Sequence, residues 1–203
     1  MSGHQHTQEL LHGTSTQCHE LMHLSHEANV LLCNHFRRNK WLQSSRHISV
    51  EEKMTMFLTT IAENKRFRII KRRFQHSKKI VHRCFHEVLN AMIPFSREII
   101  VPTNSNATMN SLERHRRLKE IFPGEIGALD GTLVHVVMPA HQQTRYKGRG
   151  KRECFQNVLG ICDFDMIFTF VWAGWEGITL ESQVLKEVAF NPTSGFPFPP
   201  LGL

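Results

Sequence analysis

Gly127-Ala128-Leu129-Asp130-Gly131-Thr132, continuing as Leu133-Val134-His135-Val136-Val137, is the stretch on which the fold turns. One acid stands between small residues and is followed by β-branched and aliphatic ones. That composition predicts a strand, and the density of apolar residues predicts a buried one. The glycines on either side leave room for a ligand, a metal or another backbone. A carboxylate buried there without a partner would be costly, so Asp130 calls for a cation, a basic partner or water. The competing reading is a turn, because an Asp-Gly pair favours one.

Upstream of this stretch the apolar spacing is helical, and downstream it is that of strands. The chain therefore reads as α+β. Its 203 residues allow one or two domains, and 40% hydrophobic content is enough for a real core. A formal charge of +7 and a pI near 9.4 point to an anionic partner, most commonly nucleic acid. Five cysteines, an odd number with no CxxC pair, fit reduced thiols better than a disulfide framework. No apolar run reaches the roughly 18 residues needed to span a bilayer, so no membrane role is expected. The polar, His-rich N-terminus lacks the apolar region of a signal peptide, so the expected compartment is the nucleus or the cytoplasm.

Residues 1–16 are polar, with His4, His6 and His12, and read as a flexible lead-in. His19-Glu20-Leu21-Met22-His23 matches H-E-x-x-H, which on a helix could hold zinc with Glu20 as base. With fourteen histidines in the chain such matches arise by chance, and a helix packing Leu21, Met22 and Leu24 competes with it. Residues 28–43 read as a helix. Ser49-Val50-Glu51-Glu52 has the capping-box spacing and predicts a helix from about residue 50 to 63. Phe67, Ile69, Ile70 and Phe74 mark a short helix, Gln75-His76-Ser77 interrupts it, and Ser77 can cap the next. This is a helix-turn-helix layout. From Lys65 to Arg83 there are nine Lys/Arg and no acid. Lys78, Lys79, His82 and Arg83 on the second helix are expected to meet a DNA groove, with Arg72 and Arg73 on phosphates. A solvated basic face is the plainer alternative.

The expected domains are 17–100, helical and DNA-binding, then a linker over 101–111, then 112–203. A short helix is expected over 112–122, and strands over 127–137, 155–163 and 166–173. Asp163-Phe164-Asp165 reads as a hairpin turn, and residues 180–189 read as a helix. Between the first two strands, Arg145, Lys147 and Arg149 sit on a connection that either contacts phosphate or is a charged surface loop.

Several of these segments resemble a known family. Arg46-His47-Ile48-Ser49-Val50-Glu51-Glu52 with Arg73-Phe74-Gln75-His76-Ser77 resembles the helical N-terminal domain of plant PIF/Harbinger-type transposase proteins. Ile126 to Thr132, Gln156-Asn157-Val158-Leu159, Cys162-Asp163-Phe164-Asp165 and Ala173-Gly174-Trp175-Glu176-Gly177 resemble the start of that family's DDE nuclease domain. The resemblance implies an RNase H-like mixed α/β domain, phosphodiester hydrolysis and Mg²⁺ or Mn²⁺ as cofactor. It implies DNA as partner, and admits a separate DNA-binding partner protein. Asp130 would be the first metal-binding, catalytic acid. Where the family has His-Asp-Ser this chain has Leu180-Glu181-Ser182, so Glu181 would stand in for an Asp. The family's later Asp-Gly-Tyr-like strand and its helix Glu have no counterpart, so the resemblance implies an incomplete, C-terminally truncated nuclease domain. It also counts against the zinc reading, because the family has no H-E-x-x-H in the helix that matches residues 17–32.

Overall fold

Val50–Ala62 is buried along most of its length, with Val50, Met54, Met56, Phe57 and Leu58 turned inward, so other helices must enclose it. In the computed structural model it is the central helix of a helical unit. The structure describes residues 2–102, 117, 120–123, 125, 127–147 and 153–198. They divide into two units, Met1–Ser96 and Arg97–Leu203. The first holds α1 (Gly3–His12), α2 (Ser15–Met22), α3 (His26–Arg38), α4 (Val50–Ala62), α5 (Phe67–Phe74) and most of α6 (Lys78–Ile99). α1, α2, α3 and α5 all touch α4. One apolar cluster gathers Cys33, Phe36, Met54, Phe57 and Val88, and a second gathers Met56, Ile70, Phe74, Val81 and Cys84.

Two adjacent charges on α4 are buried with these residues, and each is satisfied. The Lys53 ammonium donates to the Gln43 carbonyl and to the Glu87 carboxylate on α6, both at 2.7 Å. The Glu52 carboxylate lies 2.7 Å from His76 Nε2, in the turn between α5 and α6. Ser49 caps α4 by accepting from the Glu52 amide, as the capping-box spacing predicts. Glu52 itself turns inward to His76, so the side-chain half of the box is given up for a buried contact with the imidazole.

Residues 3–12 correct the expectation of a flexible lead-in. Ser2 and Gln5 form a reciprocal capping box, and α1 buries Thr7, Leu10 and Leu11. A Cβ at Gly3 would lie 2.5 Å from the Phe74 carbonyl oxygen and would strike the Glu52 carboxylate, so glycine is what lets α1 sit there. The H-E-x-x-H match also dissolves. α2 ends at Met22, and His23 caps it in the left-handed conformation. The His19 and His23 rings stand 6.4 Å apart.

In the second unit β1 (Ala128–Val136), β2 (Cys154–Cys162) and β3 (Phe168–Glu176) form an antiparallel sheet in the order β1-β2-β3. A single turn, α7 (Gln143–Tyr146), interrupts the first connection, and α8 (Glu181–Ala189) follows β3. Val184 and Val188 of α8 pack on Leu159 and Phe170 of the sheet. Asp163 makes the expected hairpin turn, its Oδ1 accepting from the amides of Asp165 and Ile167. β1 departs from expectation. It is an outer strand rather than a buried one, with Leu129, Asp130, Leu133 and Val134 all exposed. The linker expected over 101–111 and the helix expected over 112–122 fall mostly outside the described residues.

All five cysteines are free thiols, and burial pushes Cys33 up to about 12. No helix among the described residues is long and apolar enough to cross a membrane.

His6 makes the helical unit acid-sensitive. Its ring meets Phe74 edge-on at 5.1 Å, and its enclosed Nε2 has no partner. Burial, then the nearby Arg73 charge, lowers its pKa below the ordinary 6.5, with Glu9 opposing. The fold thus accommodates the neutral ring. Below about pH 6.5 the unfolded chain takes up a proton that the folded one resists, so this contribution to stability is lost as pH falls toward the lowered value. Urea denaturation at stepped pH is expected to show the wild type losing stability relative to His6→Phe between pH 7 and 5.

Candidate nucleic-acid interface

α5 turns Ile70 and Phe74 inward, and α6 turns Val81, Cys84 and Val88 inward. The helical repeat then forces Arg68, Lys71 and Arg72 outward on α5, and Lys78, Lys79, His82 and Arg83 outward on α6. Gln75 ends α5 in the left-handed conformation, and Ser77 Oγ accepts from the Ile80 amide to start α6. The helix-turn-helix spacing and its capping serine are therefore both present.

Lys65, Arg66, Phe67, Arg68 and Lys78 line one open cleft. The first four run from just before α5 into its first turn, and Lys78 opens α6, so the N-termini of two helices border the same space. Neither helix has an acid in its first turn. Free backbone N–H groups and the positive end of the helix dipole gather there. Cations added to such ends are unfavourable unless an anion offsets them. Phe67 adds an aromatic edge to the cleft. The sequence shows Lys65, Arg66 and Arg68 as part of a basic run, but only the structure assigns them to one cavity.

The residues predicted to contact nucleic acid separate into groups. Arg72, Lys78 and Lys79 are exposed and form no ion pair among the described residues. Arg83 is exposed and faces Glu87 at 3.6 Å, a carboxylate that also serves Lys53. Arg73 is half-buried in an ion pair with Glu63 at 3.0 Å. It ties α5 to the end of α4, a pairing that competes with the phosphate role expected for it. In the second unit Arg145 pairs with Glu176 at 3.4 Å, Lys147 is exposed, and Arg149 lies outside the described residues.

Asp130 and Glu181 come near each other across β1. Asp130 is exposed, and its Oδ1 accepts from the Gly131 amide at 2.8 Å. The burial penalty that made it a compelling site residue does not apply on this outer strand. Glu181 opens α8 and lies over Gly131, where a Cβ would come within 2.7 Å of its Cγ and 2.8 Å of its Cδ. Successive strand residues face opposite sides, so Glu181 covers the face that Asp130 leaves. Among the described residues no group of three or more His, Cys, Asp or Glu converges to hold a metal. These two acids do not fit a two-ion nuclease centre, which needs at least a third carboxylate and one shared face.

Residues 1–94 are similar to a family described as a domain of unknown function (DUF8040). The matched span ends just inside the boundary of the helical unit at Ser96. No curated protein and no solved structure matches the chain.

Arg73 and Arg72 are neighbours with opposite tasks. Arg73→Gln is expected to lower the unfolding free energy in urea by about 0.5–1 kcal/mol, the upper range for a partly screened ion pair. Arg72→Gln is expected to leave it unchanged within error.

Proposed function

We propose that this chain binds the sugar-phosphate backbone of nucleic acid through its α5–turn–α6 unit, with duplex DNA as the ligand. The observation that carries the reading is the cleft where two helix N-termini meet, lined by four cations and an aromatic ring, with no acid in either first turn. Phosphates at such a site gain charge-assisted hydrogen bonds and favourable dipole alignment together. The resemblance to PIF/Harbinger transposase proteins supports DNA as the ligand, and a DNA ligand gives the nucleus as the working compartment. On this reading the helical unit is the DNA-binding part of a transposase-derived protein. The bond-cleaving reading, with Asp130 and Glu181 on Mg²⁺ or Mn²⁺, has the weaker support, since Asp130 and Glu181 lie on opposite faces of β1.

Contacts to phosphate carry little sequence information, so different duplexes of one length are expected to bind alike. The decisive signature is salt dependence. Fluorescence anisotropy of a labelled duplex, with the full chain at several salt concentrations, gives the slope of log K against log salt. Replacing Lys65, Arg66, Arg68 and Lys78 with Ala is expected to flatten that slope by about 0.9 for each phosphate no longer neutralised. A Lys147→Ala control is expected to leave it unaltered. If the fourfold variant keeps the wild-type affinity and slope, the cleft is not the binding site.

A further inference from the structure

The outer face of α6 carries a feature that phosphate binding does not use. His82 and His86 stand one helical turn apart, both exposed, with ring centroids at 4.3 Å and their Nε2 atoms 3.2 Å from each other. Other histidine neighbours do not converge in this way: the His12 and His26 rings are 6.2 Å apart, and those of His19 and His23 are 6.4 Å apart. From this geometry we infer that His82 and His86 form a two-imidazole site for a divalent transition metal of the Zn²⁺ or Cu²⁺ class.

The bite decides the matter. A Zn–N bond is about 2.0–2.1 Å, so two nitrogens 3.2 Å apart can share one ion with an N–metal–N angle of about 103°. That lies between the right angle of octahedral and the wider angle of tetrahedral coordination. Imidazole suits Zn²⁺, Cu²⁺ and Ni²⁺ and discriminates against Mg²⁺ and Ca²⁺, which favour oxygen. Each ring is also braced by an aromatic neighbour. His82 meets Phe67 edge-on at 5.8 Å, and His86 meets Phe85 at 5.7 Å. This limits the rotamer freedom that binding would otherwise have to remove.

Without metal, the 3.2 Å separation fits a hydrogen bond in which one Nε2 donates and the other accepts. On binding, a ring that carries its proton on Nε2 moves it to Nδ1 through water, which frees both Nε2 lone pairs for the ion. Lys79, Arg83, Glu87 and Asn90 border the same groove. The Glu87 carboxylate is engaged by Lys53 and Arg83, so water fills the remaining positions and the two imidazoles alone set the affinity. The neighbouring cations weaken that affinity, and an ion held by two side chains of one helix stabilises the helix.

Isothermal calorimetry of Zn²⁺ into the full chain, without nucleic acid, tests this directly. His82→Asn and His86→Asn are each expected to bind one equivalent fewer than the wild type. Each is also expected to lose the part of the Zn²⁺-induced rise in melting temperature that the wild type shows. Unchanged circular dichroism without metal would show that the variants are folded. A second measurement needs no variant: substoichiometric Cu²⁺ is expected to broaden the ring resonances of His82 and His86 before those of the other twelve histidines. Equal stoichiometry in wild type and both variants, or first broadening at the N-terminal histidines, would overturn the assignment. The readout is independent of DNA affinity, so it can fail while the cleft holds, and the reverse.

Discussion

Two adjacent charges on a buried helix set the geometry of the helical unit. Glu52 and Lys53 leave α4 in different directions because successive helical residues are about 100° apart. One reaches the turn between α5 and α6 through His76, and the other reaches α6 itself through Glu87. Together they hold both sides of the basic helix pair against one central helix. Removing Glu87 or His76 would leave Lys53 or Glu52 buried without its counterpart, which is destabilising. α1 is bound into the same arrangement, since Gly3 lies against the Glu52 carboxylate and the Phe74 carbonyl. A polar pair inside an otherwise apolar core also specifies direction, which Met54 and Phe57 beside it cannot do.

The basic surface follows from that frame. With its inner face committed to Ile70, Phe74, Val81 and Cys84, the α5–α6 pair has only one side left for its cations. They crowd two helix N-termini, an arrangement that does nothing for stability and suits an anion. His82 and His86 lie on the same helix and present two imidazoles one turn apart. Phe67 lines the basic cleft and braces His82, so the two surfaces adjoin without sharing a charged residue.

Much of the helical unit was legible in the sequence, because its signals are local. Ser49 and Ser77 cap as their spacing predicts, and the break at Gln75-His76-Ser77 falls where the helices part. What was not legible depends on partners distant in the chain. The polar residues 3–12 hide an inward face of Thr7, Leu10 and Leu11 that makes sense only once α4 is there to receive it. Arg73 is indistinguishable from Arg72 in a basic run, and only the return of Glu63 separates them. Glu52 matches a capping box, yet the nearby histidine claims its side chain. In the second unit the aliphatic run around Asp130 gives the strand but not its place, because a run that would suit a central strand here forms an edge. That edge position exposes Asp130 and removes the energetic reason to make it a metal ligand.

Nucleic acid held at the two helix N-termini would touch different residues from nucleic acid held at the acid-bearing strand. Backbone amide spectra of the ¹⁵N-labelled full chain, titrated with a short duplex at low salt, distinguish the two surfaces residue by residue. Binding at the basic cleft is expected to give shifts that progress with DNA at Lys65–Arg68 and Ser77–Arg83 while the amides of Asp130 and Gly131 stay in place. Shifts confined to β1, or none in the α5–α6 pair, would contradict it.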